Sequence, residues 1–348
     1  LAGLGTSGVL VAVAGLILLS ACLTWLMIRV QLLAIPNERS SHDRPVPTSG
    51  GVGIVLATVA AALIYQANDA FAAPDNQILW VIVGSFILAS GGLLDDVGRA
   101  KSFKAKLAFQ TVGTIAALYA GVVFERIYLP FAGTVELGWS GYVLSALWII
   151  GLTNAFNFMD GIDGIAGGTA VIASLFLCAL GYLIGAADLA ILAVVVGAST
   201  AGFLLFNFPK ARIFMGDVGS QFLGYLFAVF GILAANAGQG GELWIVVPLL
   251  YFHFLFDTVF TFLRRWRAGE AVTLAHRSHL YQLLVRSGYS HPAVSGLHFL
   301  MSLALGAGAL LVLDLHNELQ FLVFAPAIVF QSLYLTIVLS KARRSGVL

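Results

Sequence analysis

Long apolar runs, each closed by a short polar gap, repeat along almost the whole chain. A helix that crosses a membrane needs about 20 mostly apolar residues. Eleven stretches answer to that description, roughly 8–30, 49–67, 77–94, 107–124, 141–157, 165–185, 189–206, 218–236, 243–262, 295–313 and 319–340. Several are short or rich in glycine, and the fifth and sixth are parted only by residues 157–164. The first run is too long for a signal-peptide core and no small-residue cleavage site follows it, so it reads as a retained anchor. No internal repeat or low-complexity tract interrupts the pattern. The predicted fold is an all-α polytopic membrane protein, one integral domain over 1–348.

Composition agrees. Hydrophobic residues make up 59% of the chain and charged residues only 10%, where a soluble domain carries about 25% charged. Net charge is +1, which gives no reason to expect a nucleic-acid partner. Cys22 and Cys178 both lie inside apolar runs, so neither a disulfide framework nor a zinc site is expected.

Charge placement then orients the chain. Of 18 Lys and Arg residues, 17 fall in alternate gaps, and only Arg126 falls in the opposite set. Basic residues near helix ends mark the cytoplasmic side. Eleven spans with this bias put the N-terminus outside and the C-terminus in the cytoplasm. The cytoplasmic loops are then about 31–48, 95–106, 157–165, 207–217 and 263–294. On the other side, the segment near 128–138 mixes Pro130, Gly133 and β-formers and reads as a short hairpin.

The polar chemistry crowds into those cytoplasmic loops. In the first, IPNERSSHDRPVPTSGGVG, closely spaced Gly50, Gly51 and Gly53 would let backbone approach a ligand; an ordinary inter-helix loop reads equally well. In the second, GGLLDDVGRAKSFKAKLAFQ, adjacent Asp95 and Asp96 repel unless a cation or shared proton offsets them. A hard divalent ion is a natural offset, and a solvated helix end is the plain alternative. In the third, LTNAFNFMDGIDGIAGG, residues Asn154, Asn157 and Asp160 recur every three positions and would share a helix face. They suit a magnesium–phosphate site, although Asp160-Gly and Asp163-Gly are also common turn dipeptides.

The fourth loop, FNFPKARIFMGDVGSQFLGY, sets Asp217 at the predicted start of a helix. It reads either as an N-cap or as a carboxylate aimed at magnesium beside phosphate-binding N–H groups. In the fifth, AHRSHLYQLLVRSGYSH, residues His276, Arg277 and His279 could hold a diphosphate by charge-assisted hydrogen bonds. His276 and His279 could also ligate zinc, but no further Cys/His set accompanies them. Arg264, Arg265 and Arg267 read as a basic surface for anionic lipid. Asp257, inside the ninth run, is a functional candidate as an intramembrane acid, with pairing to Arg264 or Arg265 as its alternative.

Five strings in order, PNERSSHDRPVPTSGG, GGLLDDVGRAK, NAFNFMDGIDGIAGG, FMGDVGS and HRSHLYQ, resemble the polyprenyl-phosphate N-acetylhexosamine-1-phosphate transferase superfamily, and the resemblance covers most of the chain. It looks most like the bacterial branch that loads undecaprenyl phosphate to start O-antigen, lipopolysaccharide or other surface-glycan synthesis. The muramoyl-pentapeptide branch is less similar, because Arg277-Ser278-His279-Leu280 stands in place of its triple-His motif.

The resemblance implies transfer of a sugar 1-phosphate from a UDP-N-acetyl-sugar to undecaprenyl phosphate, with release of UMP. It implies one magnesium ion, for which manganese could substitute. Asp217 and Asn157 would hold the metal; Asp95 and Asp96 would sit at the lipid phosphate, with Asp160 in the same catalytic group. Lys106, Asn154, Asp163, His276, Arg277 and His279 would contact substrate. A homodimer is a further expectation. The alternative from another class is a secondary transporter for an anionic or phosphorylated solute, but transporters place such groups near the midplane, often in inverted repeats.

Overall fold

The computed structural model describes residues 6–34, 44–67, 76–100, 102–238, 240–272, 274 and 276–348. Residues 35–43 of the first-loop string and Lys101 lie outside the described residues. Helices dominate: α1 (Thr6–Val30), α2 (Gly51–Gln66), α3 (Gln77–Asp96), α4 (Phe103–Tyr119), α5 (Trp139–Met159), α6 (Ile165–Leu183), α7 (Ala187–Asn207) and α8 (Gly216–Ala237). After a 3-10 turn at Glu242–Ile245 come α9 (Val246–Leu250), α10 (Phe252–Arg267), α11 (Leu280–Arg286), α12 (His291–Leu311) and α13 (Phe324–Arg344). Two antiparallel ribbons complete the described structure. β1 (Leu33–Ala34) pairs with β2 (Val46–Pro47), and β3 (Arg126–Leu129) pairs with β4 (Gly133–Glu136) in the register Arg126↔Glu136. The second ribbon is the hairpin expected near 128–138.

All eleven apolar stretches are helical. Among the described residues, eight helices are long and apolar enough to cross a membrane, and nine if the bent pair α9–α10 forms one span. The protein is an all-α polytopic membrane protein. Helix α2 has 16 residues, and α4 has 17 with Lys104 and Lys106 in its first turn, so both fall short of that length.

The ninth stretch departs from expectation. In place of one straight span over 243–262, the chain bends by 72° between α9 and α10. The residues explain the bend's result. His253, Asp257, Thr261 and Arg265 recur every four positions and are all buried, whereas Val259, Phe262, Leu263 and Trp266 are exposed. The helix thus turns a polar stripe inward and an apolar one outward, a pattern that average hydropathy over the run conceals.

Helix α8 is the hub. Its spanning window is 94% buried, against 17% for α1 and for α13. Helices α2, α3, α5 and α7 pack around it, and Phe222, Tyr225, Phe227 and Phe230 fill the space between them. Between apolar helices in lipid, small residues permit the close approach that side-chain packing then exploits. At the N-terminal end of α8 this approach is backbone to backbone. A Cβ on Gly92 of α3 would stand 2.4 Å from the Asp217 carbonyl oxygen. The first-loop glycines do the same work, which corrects their reading as ligand contacts: Gly51 lies against Gly219, and Gly53 against Thr24.

Substituting Gly92→Ala should therefore force α3 from the start of α8 and cost about 1–3 kcal/mol by overpacking. Gly151→Ala, where nothing lies within 4 Å, is the matched control. Thermal unfolding in detergent should show a Tm several degrees lower for the first and unchanged for the second; equal Tm values would mean the contact is not close-packed.

Candidate functional site

The first N–H groups of a helix lack partners inside it. Helix α8 opens at Gly216, whose φ of +75° suits glycine, and its N-cap residue Met215 offers no side-chain bond. The missing acceptor comes from α3. Asp96 takes the Asp217 N–H at 2.9 Å and the Val218 N–H at 3.4 Å, and it accepts the Ser49 hydroxyl at 2.9 Å. A Cβ on Gly216 would meet Asp96 Oδ2 at 2.3 Å. Asp217 is therefore inside the helix and not its N-cap, which removes the bland alternative for that residue. Asp96 does the capping from a neighbouring helix.

With its backbone held, Asp217 aims its carboxylate at two side chains. The Lys106 ammonium of α4 is in direct contact with its Oδ2, and Asn157 of α5 donates to its Oδ1 at 2.8 Å. Lys106 also lies 3.3 Å from Asp95 Oδ2, and Asn157 donates to Ser220 Oγ at 2.8 Å. Four helices thus meet at one charge cluster. Asn154, one turn deeper on α5, is used differently. Its amide exchanges bonds with Gln110 at 2.9 and 3.2 Å and donates to the Ile150 carbonyl at 2.8 Å, locking α4 to α5.

A cleft of about 290 Å³ opens beside the cluster, lined by Asp96, Asn157, Asp160, Asp163, Asp217, Gln282 and His291 among others. Asp160 projects there with no hydrogen bond or ion pair to its carboxylate among the described residues. Burial, and then the facing charges of Asp217 and Asp96, push its carboxyl well above the usual range. Its neighbour Asp163 is fully engaged. Oδ2 accepts the Ala211 N–H at 3.1 Å, and Oδ1 lies 3.2 Å from His291 Nδ1.

The His loop is built from α10. Asp257 accepts the N–H groups of Leu280 at 2.9 Å and Tyr281 at 3.2 Å, so it caps α11, and it accepts the Thr261 hydroxyl at 3.1 Å. His279 Nδ1 lies 3.0 Å from the same carboxylate, with both residues buried. Asp257 thus pairs with His279, not with Arg264 or Arg265. Arg265 clasps the loop through Glu270 at 2.7 Å and the carbonyls of Ala271 and Leu274, and Arg264 bonds the Ser278 carbonyl. These two arginines brace the loop, so their expected role as a lipid-facing surface gives way to an internal one. His276 stacks on His279 and faces Ser278 Oγ at 3.0 Å. Burial, with the His279 ring and the nearby guanidiniums, lowers the His276 imidazole to about 4, so it is uncharged at pH 7. Arg277 is exposed on the loop surface, away from the cleft lining.

The structure accordingly gathers Asp95, Asp96, Lys106, Asn157, Asp160 and Asp217 at one place, with Asp163 on the cleft wall. His276, Arg277 and His279 stand on the neighbouring loop, and Asn154 is inside the bundle. Sequence reasoning missed His291, Gln282 and Ser49. The charge set is all oxygen apart from Lys106. Among the described residues no three Asp, Glu, His or Cys side chains converge in a ligating arrangement. Yet one carboxylate is unpartnered beside two others, which is the electrostatic need a hard divalent ion meets.

Comparison with known proteins agrees with this picture. A family profile described as Glycosyl transferase family 4 matches residues 78–235. A probable undecaprenyl-phosphate N-acetylglucosaminyl 1-phosphate transferase of Bacillus subtilis is 34% identical over 267 residues, covering 76% of this chain and 72% of that protein. A decaprenyl-phosphate N-acetylglucosaminephosphotransferase of Mycolicibacterium smegmatis is 30% identical over 293 residues, 76% and 71% of the two chains. A phospho-N-acetylmuramoyl-pentapeptide-transferase of Chlamydia muridarum is 34% identical over 210 residues, 54% and 61% of the two.

Removing the acid beneath the His loop tests its construction. Asp257→Ala should strand two N–H groups and a buried imidazole, at a cost of about 3–5 kcal/mol, seen as a lower Tm and as faster proteolysis between residues 268 and 279. Unchanged loop protection would show that α11 holds itself.

Proposed function

This chain belongs to glycosyl transferase family 4 and is a glycosyl-1-phosphate transferase, and from that premise we propose that it moves an N-acetyl-sugar 1-phosphate from a UDP-sugar to undecaprenyl phosphate. The observation that carries the reading is the cluster itself: Lys106 held between Asp95 and Asp217, the latter lining a cleft in which the carboxylate of Asp160 is unpartnered among the described residues. Family membership sets the transporter alternative aside.

The chemistry needs little base. A phosphate monoester has a second pKa near 6, so the lipid phosphate is largely a dianion at pH 7. Its oxygen attacks the donor phosphorus that bears the sugar; a new P–O–P bond forms, the old one breaks, and UMP departs with the bridging oxygen. The obstacle is bringing two anions together, and positioning with charge neutralisation overcomes it. Lys106 supplies one positive charge. Asp95 orients the attacking phosphate through Lys106 and takes any residual proton.

Asp217 and Asn157 would hold a magnesium ion, with Asp160 the nearest free carboxylate. Asn157 already spends its amide N–H groups on Asp217 and Ser220, which leaves its carbonyl oxygen for a cation. When bound, the ion would supply charge neutralisation and Lewis-acid polarisation of phosphoryl oxygen. The chain's own part is then to fix both phosphates in line, with Lys106 held between Asp95 and Asp217.

We place the site on the cytoplasmic face of a bacterial inner membrane, in an eleven-span arrangement with the N-terminus outside. The product would start O-antigen or another surface glycan. Two experiments bear on these readings. Purified protein given UDP-GlcNAc, magnesium and undecaprenyl phosphate should release UMP. Asp217→Asn, which costs the helix no cap, should lower that rate by orders of magnitude, with partial recovery at high magnesium or with manganese. Asp188→Asn, at the far end of α7, still accepts from Tyr65 and should behave like wild type. Near-normal turnover of Asp217→Asn at low magnesium would move the metal elsewhere.

The second experiment concerns orientation. In a background lacking Cys22 and Cys178, cysteine at Ser102 should label only from the cytoplasm and cysteine at Glu136 only from the periplasm. Labelling from one side alone for both would overturn the span count.

A further inference from the structure

His291 takes no part in the charge cluster and belongs to none of the five sequence motifs that carry the family resemblance, yet it lines the cleft. It opens α12, just after the N-cap Ser290, whose side chain accepts the Ala293 N–H, and just before Pro292. Its ring is anchored at one end only. Nδ1 lies 3.2 Å from Asp163 Oδ1 and 3.5 Å from the Asp163 N–H. Either contact ties the same nitrogen to the same residue. Four residues further along α12, Ser295 Oγ donates to the Asp163 carbonyl at 2.7 Å. Asp163 itself is held from the other side by the Ala211 N–H. The ring is therefore fixed by the turn between α5 and α6, and Nε2 has no protein partner among the described residues. Its side chain is 19% exposed, to the cleft.

We propose that His291 is a recognition residue for the donor, with Nε2 contacting a neutral O–H or N–H group of the nucleoside or sugar. This rests on the transferase reading above. The surroundings select the ligand chemistry. Asp163 abuts the ring, and among the described residues no Lys or Arg lines the cleft, so nothing at this end favours phosphate. Its other polar liner from the His-loop helix is the uncharged Gln282 amide. Neutral hydroxyl and amide groups are what a sugar nucleotide carries beyond its phosphates, and what a polyprenyl phosphate lacks. A site that hydrogen-bonds such a group discriminates strongly against analogues without it, because its own buried polar atoms would be left unpaired.

Two isosteric variants separate recognition from structure. The amide of Asn overlays imidazole Nδ1, and that of Gln overlays Nε2. His291→Asn keeps the anchor to Asp163 and removes the group facing the cleft; His291→Gln does the reverse. Recognition predicts a donor KM raised roughly ten- to hundredfold in His291→Asn and His291→Ala, the loss of one polar contact. His291→Gln should stay within about threefold, and the KM for undecaprenyl phosphate should hold steady in all three. A purely structural role predicts the opposite order, with Asn better than Gln and Tm falling in step. That order, or a donor KM unmoved by all three variants, overturns the proposal. Wild-type protein that releases no UMP from UDP-GlcNAc would instead count against the proposed donor. Binding of UMP, followed by thermal shift on wild type and His291→Asn, then tells whether the contact is with nucleoside or sugar. Weaker UMP binding in the variant places it on the nucleoside, and equal binding beside a raised donor KM places it on the sugar.

Discussion

Two backbone N–H groups at the start of α8 find their acceptor on another helix, in the carboxylate of Asp96. In a low-dielectric interior an unmet N–H is expensive, so this contact fixes where α8 begins relative to α3. The close approach of Gly92 to the Asp217 carbonyl leaves no room for a different register. Asp217 is then pinned by its own backbone before its side chain meets anything. Lys106 from α4 and Asn157 from α5 close on a carboxylate that is already placed. A helix N-terminus also favours negative charge nearby, which lowers the cost of holding Asp96 and Asp217 together.

The outcome is a site where almost every acid is spoken for. Asp95 and Asp217 share Lys106, Asp96 holds the start of α8, Asp163 holds His291 and the Ala211 N–H, and Asp257 holds His279 and the start of α11. Asp160 alone has no such partner among the described residues. With no added cation, burial and then the facing carboxylates hold the Asp160 carboxyl well above the usual range. A bound divalent ion would reverse that shift, because an opposite charge within a few ångströms favours the ionised form.

Much of this was legible in the chain, and the limits have physical causes. Apolar runs located the helices because lipid forces backbone bonds to close within each segment. Asp95, Asp96, Asn157, Asp160 and Asp217 were legible because charge at a membrane boundary needs a reason. Their division of labour was not. Whether a carboxylate caps a helix or faces a cleft depends on contacts such as Asp96 to Asp217, across 121 residues, and no local spacing encodes them. Asn154 and Asn157 look equivalent three residues apart, yet one locks α4 to α5 while the other reaches Asp217. The bend at Tyr251 was hidden for another reason. A helix with its polar stripe turned inward has the same average hydropathy as a uniform one.

Asp163–His291 and Asp257–His279 are built alike, and the likeness carries an argument about how the cleft is maintained. In each, a carboxylate accepts backbone N–H from a neighbouring segment, one group for Asp163 and two for Asp257, and meets an imidazole through Nδ1. Each acid therefore holds a loop and orients a ring in one act. The two differ in burial: Asp257 is 1% exposed, while Asp163 and His291 border open space. The deeper pair sets the shape of the His loop, and the shallower one is where shape becomes contact. A cleft walled by side chains locked in this way is organised before substrate arrives, so little of the donor's binding energy is lost to ordering the protein.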